Sequence, residues 1–240
     1  MKPLPDWRNR TVACLASGPS LAVEDCVRAR DAGWATVVTN TTYQLCPWAD
    51  ALFAHDSQWW KAHIAGVRRC FMGRLFSPSL HVLYRGVESL AVNMQWRNFH
   101  NSGANAISLA MVCGASRIVL LGFDCALTGG RSHHHGDHPG GLRNCDTIDK
   151  WPAQFAKVAA YADKRRILVF NASRVSALTC FPRVALEQVP GAFAGLAGVE
   201  AIKGVVMVDQ SPIGKSARSN PVSYVGAWNA IRKLFAALPE

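Results

Sequence analysis

Short β-rich runs alternate with helical stretches through most of this chain, and that alternation constrains the fold more than any other feature. The runs are Thr11–Ala16, Ala35–Thr39, Ala51–Ala54, His81–Tyr84, Arg117–Gly122 and Arg166–Phe170. Several are continuously apolar, as strands must be when both faces of a parallel sheet are covered. Between them Leu21–Ala32, Ser102–Cys113 and Lys150–Lys164 have the spacing of helices. Ser20 is the expected N-cap of the first, with Glu24 and Asp25 near its positive end. Gly33 and Gly114 are the expected stops of the first two. Strand, helix, strand in repetition predicts βαβ units, hence an α/β fold with a Rossmann-like, mostly parallel sheet flanked by helices.

The pattern is complete by about residue 188, so residues 1–188 are expected to form one nucleotide- or nucleotide-sugar-binding domain. Composition then changes. Pro190–Gly198 is rich in Gly and Ala, Gly204–Val208 is a further strand-like run, Asp209–Asn220 is polar, and Val225–Leu238 is a short helical stretch. Residues 189–240 therefore read as a separate appendage.

No apolar run is long enough to span a bilayer, and MKPLPDWRNR lacks the apolar stretch of a signal peptide, which leaves the cytoplasm as the expected location. The eight cysteines are scattered, with no CxxC pair, and most sit in apolar segments as small hydrophobes. That argues against a disulfide framework and a thiolate zinc site. A net charge of +10, dominated by arginine and without a basic block, favours polyanionic partners: nucleic acid, a phosphorylated substrate or an acidic glycan.

Open α/β sheets bind ligands at the carboxyl ends of their strands, and the polar residues fall there. Ser17-Gly18-Pro19-Ser20 follows the first strand; a glycine turn feeding a helix N-terminus points N–H groups at an anion. It lacks the full G-x-G-x-x-G fingerprint. Asn40 ends the second strand, where an amide offers donors and an acceptor to a base or ribose. His55, Asp56 and Ser57 end the third. Asn101-Ser102-Gly103 opens a helix, and Asp124 ends the strand before a glycine-rich loop. That loop carries His133, His134, His135, Asp137 and His138, four imidazoles and a carboxylate in six residues. Such a cluster suits either a general base with an orienting neighbour or metal chelation. Ligands crowded into one loop differ from the familiar pair on one helical face, so no metal ligand is assigned.

Together, Cys14–Leu21, Asn40, Asn101-Ser102-Gly103 and Arg117–Asp124 resemble a family of phage and bacterial Rossmann-like proteins. The same layout occurs in bacterial lipooligosaccharide sialyltransferases and archaeal pterin pyrophosphokinases. His135–His138, Leu142-Arg143-Asn144 and Ser176–Pro182 look most like the phage-encoded members. The resemblance covers about residues 10–188. It implies that Ser17, Gly18, Asn40, Ser102 and Gly103 hold the nucleotide of a CMP-sugar-like donor; Ser20, Asp56, Asn101 and Asp124, from their places on the same edge, are expected to join them. It also implies that His138 or His135 acts as general base toward a hydroxyl acceptor. The chain departs from the sialyltransferases in carrying Asn101 where they have Thr, and in having no Tyr between Arg85 and Tyr161. A nucleotide-sugar-dependent, sialyltransferase-like glycosyl transferase is the leading expectation. Two alternatives stand beside it. One is a phage nucleotide- or DNA-associated accessory protein without turnover. The other is a pyrophosphokinase-like transferase needing magnesium on Asp56, Asp124 or Asp137.

The segment from Gly204 to Glu240, with Asp209–Gly214 and Arg218–Pro221, resembles a stretch of UvrA, the nucleotide-excision-repair ATPase subunit. No G-x-x-x-x-G-K-S/T phosphate loop exists here: Asp209 stands where the first Gly is required. The appendage is expected to lack ATPase activity of its own.

Overall fold

A computed structural model of the chain describes residues 2–78, 84–91, 93, 95–136, 138, 142 and 147–189. The chain divides into two compact units, Met1–Gly195 and Leu196–Glu240, and everything described belongs to the first. The strand and helix expected after residue 204, and most of the run His81–Tyr84, lie outside the described residues.

The first unit is a three-layer α/β/α structure. In chain order its elements are β1 (Thr11–Leu15), α1 (Val23–Asp31), β2 (Ala35–Thr39), β3 (Ala51–Phe53), α2 (Ser57–Cys70), β4 (Arg74–Ser77) and β5 (Val87–Ser89). Then follow α3 (Ser102–Val112), β6 (Arg117–Leu121), α4 (Trp151–Lys164) and β7 (Leu168–Asn171). The seven strands form one sheet in the order β5-β4-β3-β2-β1-β6-β7, and every pairing is parallel. The Rossmann-like α/β expectation is met.

Side-chain alternation explains the layers. Val12 and Cys14 of β1 and Ile118 and Leu120 of β6 point into one buried cluster with α3 and α4 residues such as Ala104, Ile107, Phe155 and Val158. Ala13, Leu15, Val119 and Leu121 point into the other, with Cys26 and Ala29 of α1 and Trp59, Trp60, Ile64 and Val67 of α2. Successive residues of a strand face opposite sides, so a strand covered on both sides is apolar throughout.

The expected strand and helix ends move by a residue or two. Arg166–Phe170 shifts to Leu168–Asn171, because Arg166 takes a left-handed conformation (φ 56°) just past α4. Gly33 and Gly114 stop α1 and α3 at φ 69° and 91°, as expected. Three elements are additions to the sequence reading: α2, β4 and β5. One cap is corrected. The N-cap of α1 is Ala22, whose N–H is held by the Asp25 carboxylate at 3.2 Å, while Ser20 is committed elsewhere.

Candidate functional site

The strand order runs outward from β1 through β2, β3, β4 and β5, then returns to β1's other side with β6. Connections on the two sides of β1 therefore diverge, and a crevice opens beyond the carboxyl ends of β1 and β6. A cleft of about 680 Å³, counting its open mouth, lies there. Ser17, Gly18, Asn40, Asn101, Ser102, Gly103 and Asp124 all line it. These are seven of the nine residues expected to hold a nucleotide. Ser20 and Asp56 are not among its walls.

The β1 turn is built for close packing. A Cβ on Gly18 would sit 2.2 Å from Asp124 Oδ1 and 2.4 Å from the Gly122 carbonyl oxygen, so only glycine fits. The Gly18 N–H donates to that carbonyl at 2.9 Å. The Ser20 N–H donates to Asp124 Oδ2 at 2.9 Å, and its hydroxyl to Asp124 Oδ1 at 2.6 Å. Thr128 Oγ1 donates to Asp124 Oδ2 at 3.0 Å. Both oxygens of this buried carboxylate are thus engaged in tying the two turns together. The turn that the sequence offered as a phosphate cradle spends its Gly18 and Ser20 amides internally.

The donors that face the cleft are on α3 and β2. Asn101 caps α3 through its side-chain oxygen, which accepts from the Ala104 N–H at 3.2 Å. The N–H groups of Ser102 and Gly103, which precede Ala104 in the first turn, have no hydrogen-bond partner among the described residues. They sit at the positive end of an eleven-residue helix. Asn40, in a left-handed conformation at φ 47°, leads out of β2. The His55 N–H donates to Ser102 Oγ at 3.1 Å, which frees the serine proton for Asn40 Oδ1, also at 3.1 Å. This relay fixes the Asn40 amide through its oxygen, which accepts from Ser102, and leaves its NH₂ available to a ligand. The cleft is also lined by Phe123, Ile148, Trp151 and Phe155, with Phe123 and Phe155 packed beside the helix start, where a Cβ on Gly103 would meet them at 2.9 and 3.3 Å. Asp56 is exposed and caps α2 by accepting from the Gln58 N–H at 2.7 Å.

The histidine loop returns to the cleft after a tight turn in which Thr128 and Arg131 exchange both backbone hydrogen bonds. The His134 N–H then donates to the Ser17 carbonyl at 3.0 Å, docking the loop against the β1 turn. His133 is buried and lines the cleft. His135 and His138 pack behind it, with ring centroids 4.9 and 4.7 Å from that of His133. His63 of α2 lies 6.3 Å from His138 and stacks on Trp59. Burial pushes the His134 imidazole down to about 4. Burial and four neighbouring imidazoles, those of His133, His134, His138 and His63, take His135 down to about 3. His63 is lowered by burial alone, and His55 by burial and by His100, with Asp56 opposing. A base works best with a pKa near the working pH, so His135 stays neutral at pH 7 but holds a proton poorly.

Sequence reasoning missed His133 as the imidazole facing the cleft, although it stood in the motif. It missed His63 for lack of the helix that carries it. The aromatic wall had no local signal, because its members come from separate segments. Asp137 lies outside the described residues.

No helix among the described residues is long and apolar enough to cross a membrane. No family model matches the chain. Over 54 residues it is 56% identical to the UvrABC system protein A of Micrococcus luteus, covering 22% of this chain and 5% of that protein. The protein of the same name from Thermus thermophilus is 51% identical over 54 residues, again 22% of this chain and 6% of the relative. The one from Treponema pallidum is 46% identical over 61 residues, 25% of this chain and 6% of the relative. These matches support the UvrA-like segment read from the sequence, and they lend no support to the sialyltransferase or pterin pyrophosphokinase resemblance. The chain spans 5–6% of the length of these relatives.

Proposed function

We propose that the first unit binds a nucleotide, carried by a nucleotide-sugar donor, in the β1–β6 cleft and transfers the sugar to a hydroxyl acceptor. The observation that carries this reading is that backbone and side-chain amides line one cleft together with aromatic side chains. The amides belong to Ser102 and Gly103 in the first turn of α3 and to Asn40; the aromatic side chains are Phe123, Trp151 and Phe155. Helix amides suit a phosphate. An aromatic face suits a base, and a fixed side-chain amide suits the polar edge of a base or ribose. The histidine loop at the rim is where the acceptor's proton would be taken up. His138 and His135 were the expected bases, and His133 is the member that faces the cleft.

A thermal-shift screen of CMP, UDP, GDP, ATP and their sugar conjugates tests the reading. A ligand at 100 times its Kd adds about 2.7 kcal/mol of stability. Stabilisation by one nucleotide and its sugar conjugate, with release of that nucleotide when acceptor sugars are added, supports the transferase. A protein that binds nucleotide but never releases it from a sugar conjugate would fit an accessory role instead. The second reading, a nucleotide- or DNA-associated protein without turnover, draws on the UvrA-like segment and the +10 charge. Magnesium-dependent pyrophosphoryl transfer has less to stand on, since Asp124 is fully engaged and Asp56 is an exposed helix cap.

A further inference from the structure

We propose that His133, His135 and His138 form a three-imidazole site for one zinc-class divalent cation. One ring nitrogen from each lies within 4.8 Å of the others. Tetrahedral zinc with nitrogens at about 2.0–2.1 Å requires each imidazole to move inward by about 1 Å, with His133 and His135 turning out of their parallel stack so that their in-plane lone pairs meet. His135 Nε2 is buried with no hydrogen-bond partner among the described residues, a polar atom that a cation would satisfy. The rings already lie together: His135 is 4.9 Å by centroid from both His133, on which it stacks, and His138, to which it is inclined by 50°. The loop is docked on the β1 turn through the His134 N–H, so the cluster is held by the scaffold rather than hanging in solvent.

The donor set selects the ion. Three neutral imidazoles favour zinc, copper, nickel or cobalt, whereas magnesium and calcium need oxygen ligands. Three protein ligands leave one tetrahedral position open, the arrangement of catalytic zinc sites. Metal binding stands by itself; its chemical consequence rests on the transferase reading above. A cation occupies the lone pairs that proton uptake needs, so proton acceptance passes from the imidazoles to a water on the open position, whose pKa falls toward 7 on zinc. Hydroxide on the cation then takes the acceptor's proton and becomes water. The acceptor oxygen bonds to the sugar carbon, and the nucleotide phosphate departs with the bonding pair.

The test is titration of the full chain, prepared without a polyhistidine tag and stripped with chelator, using Co²⁺ followed by visible absorption and Zn²⁺ followed by competition. The expected result is one equivalent with a tetrahedral Co²⁺ spectrum. His133→Ala, His135→Ala and His138→Ala should each weaken binding by at least about tenfold, while His134→Ala stays near wild type. Absence of the Co²⁺ spectrum in the wild-type protein overturns the site whatever the variants do. Binding unaffected by the three substitutions, or lost equally in His134→Ala, overturns it as well. Nucleotide affinity measured on the metal-free protein reports the cleft separately, so failure of either proposal leaves the other readable.

Discussion

Gly18 and Asp124 form the tightest contact beside the cleft, and each makes a prediction. A methyl group at Gly18 would press on Asp124 Oδ1 and on the Gly122 backbone, which cannot retreat without opening the β6 turn. Gly18→Ala should cost about 2–4 kcal/mol in denaturant unfolding. Asp124 receives three donors, and the hydroxyl of Ser20 can reverse its bond. Asp124→Asn should therefore lose only about 1 kcal/mol, whereas Asp124→Ala, which strands all three donors, should lose roughly 2–4 kcal/mol. Equal losses for the two variants would contradict the assignment of Asp124 as a structural tie. His55 offers a pH test. Its folded pKa lies below the ordinary 6.5, through burial and through His100, with Asp56 opposing. The unfolded chain thus binds the proton more readily. Its contribution to stability is whole above pH 6.5 and is lost as pH falls through the lowered value. Thermal unfolding from about pH 7.5 to about 5.5 should show a shallower loss in His55→Gln than in the wild type. At this scale the sequence revealed which residues stand on the ligand edge, but not what each one does. Ser20 and Asp124 find each other across 104 residues, and no local pattern announces such a pair.

Among the elements, α3 matters most to the cleft, because its first turn supplies the open amides. Asn101→Ala removes the side-chain cap and should destabilise the protein by about 1 kcal/mol, read by urea unfolding. The helix was legible because Asn101 and Gly114 mark its two ends, and its continuous apolar character matches its near-complete burial. Its polar residues are satisfied locally: Asn105 Oδ1 accepts from the Phe99 N–H at 2.7 Å, and Ser108 Oγ donates to the Arg97 carbonyl at 2.8 Å. The helix α2 was illegible for an equally local reason. Trp59, Trp60, Ile64 and Val67 make one buried face, but bulky aromatic residues and Gly66 weaken the helical propensity of the segment. β4 and β5 have four and three residues, too short for a period of two to stand out.

For the molecule as a whole, the strand order decides where a ligand goes. The reversal at β1 creates the crevice, and seven residues from four separate segments reach it only because the crossovers fold back on themselves. Parallel α/β class was legible from alternation alone; the position of the reversal was not, since it depends on pairings between distant segments. Both described core clusters are built from residues between Trp7 and Val189. A chain ending at Val189 should accordingly unfold in one cooperative transition by circular dichroism, and a broad, non-cooperative melt would show that the remaining residues complete the core. The most direct test of the account is calorimetric titration of CMP, UDP, GDP and ATP into the wild-type protein and into the Asn40→Ala, Ser102→Ala double variant. At least one nucleotide should bind the wild type, and the folded double variant should lose at least about tenfold in affinity, roughly 1.4 kcal/mol. Failure of every nucleotide to bind the wild type, or an unchanged affinity in the double variant, would contradict a nucleotide site at the β1–β6 crevice.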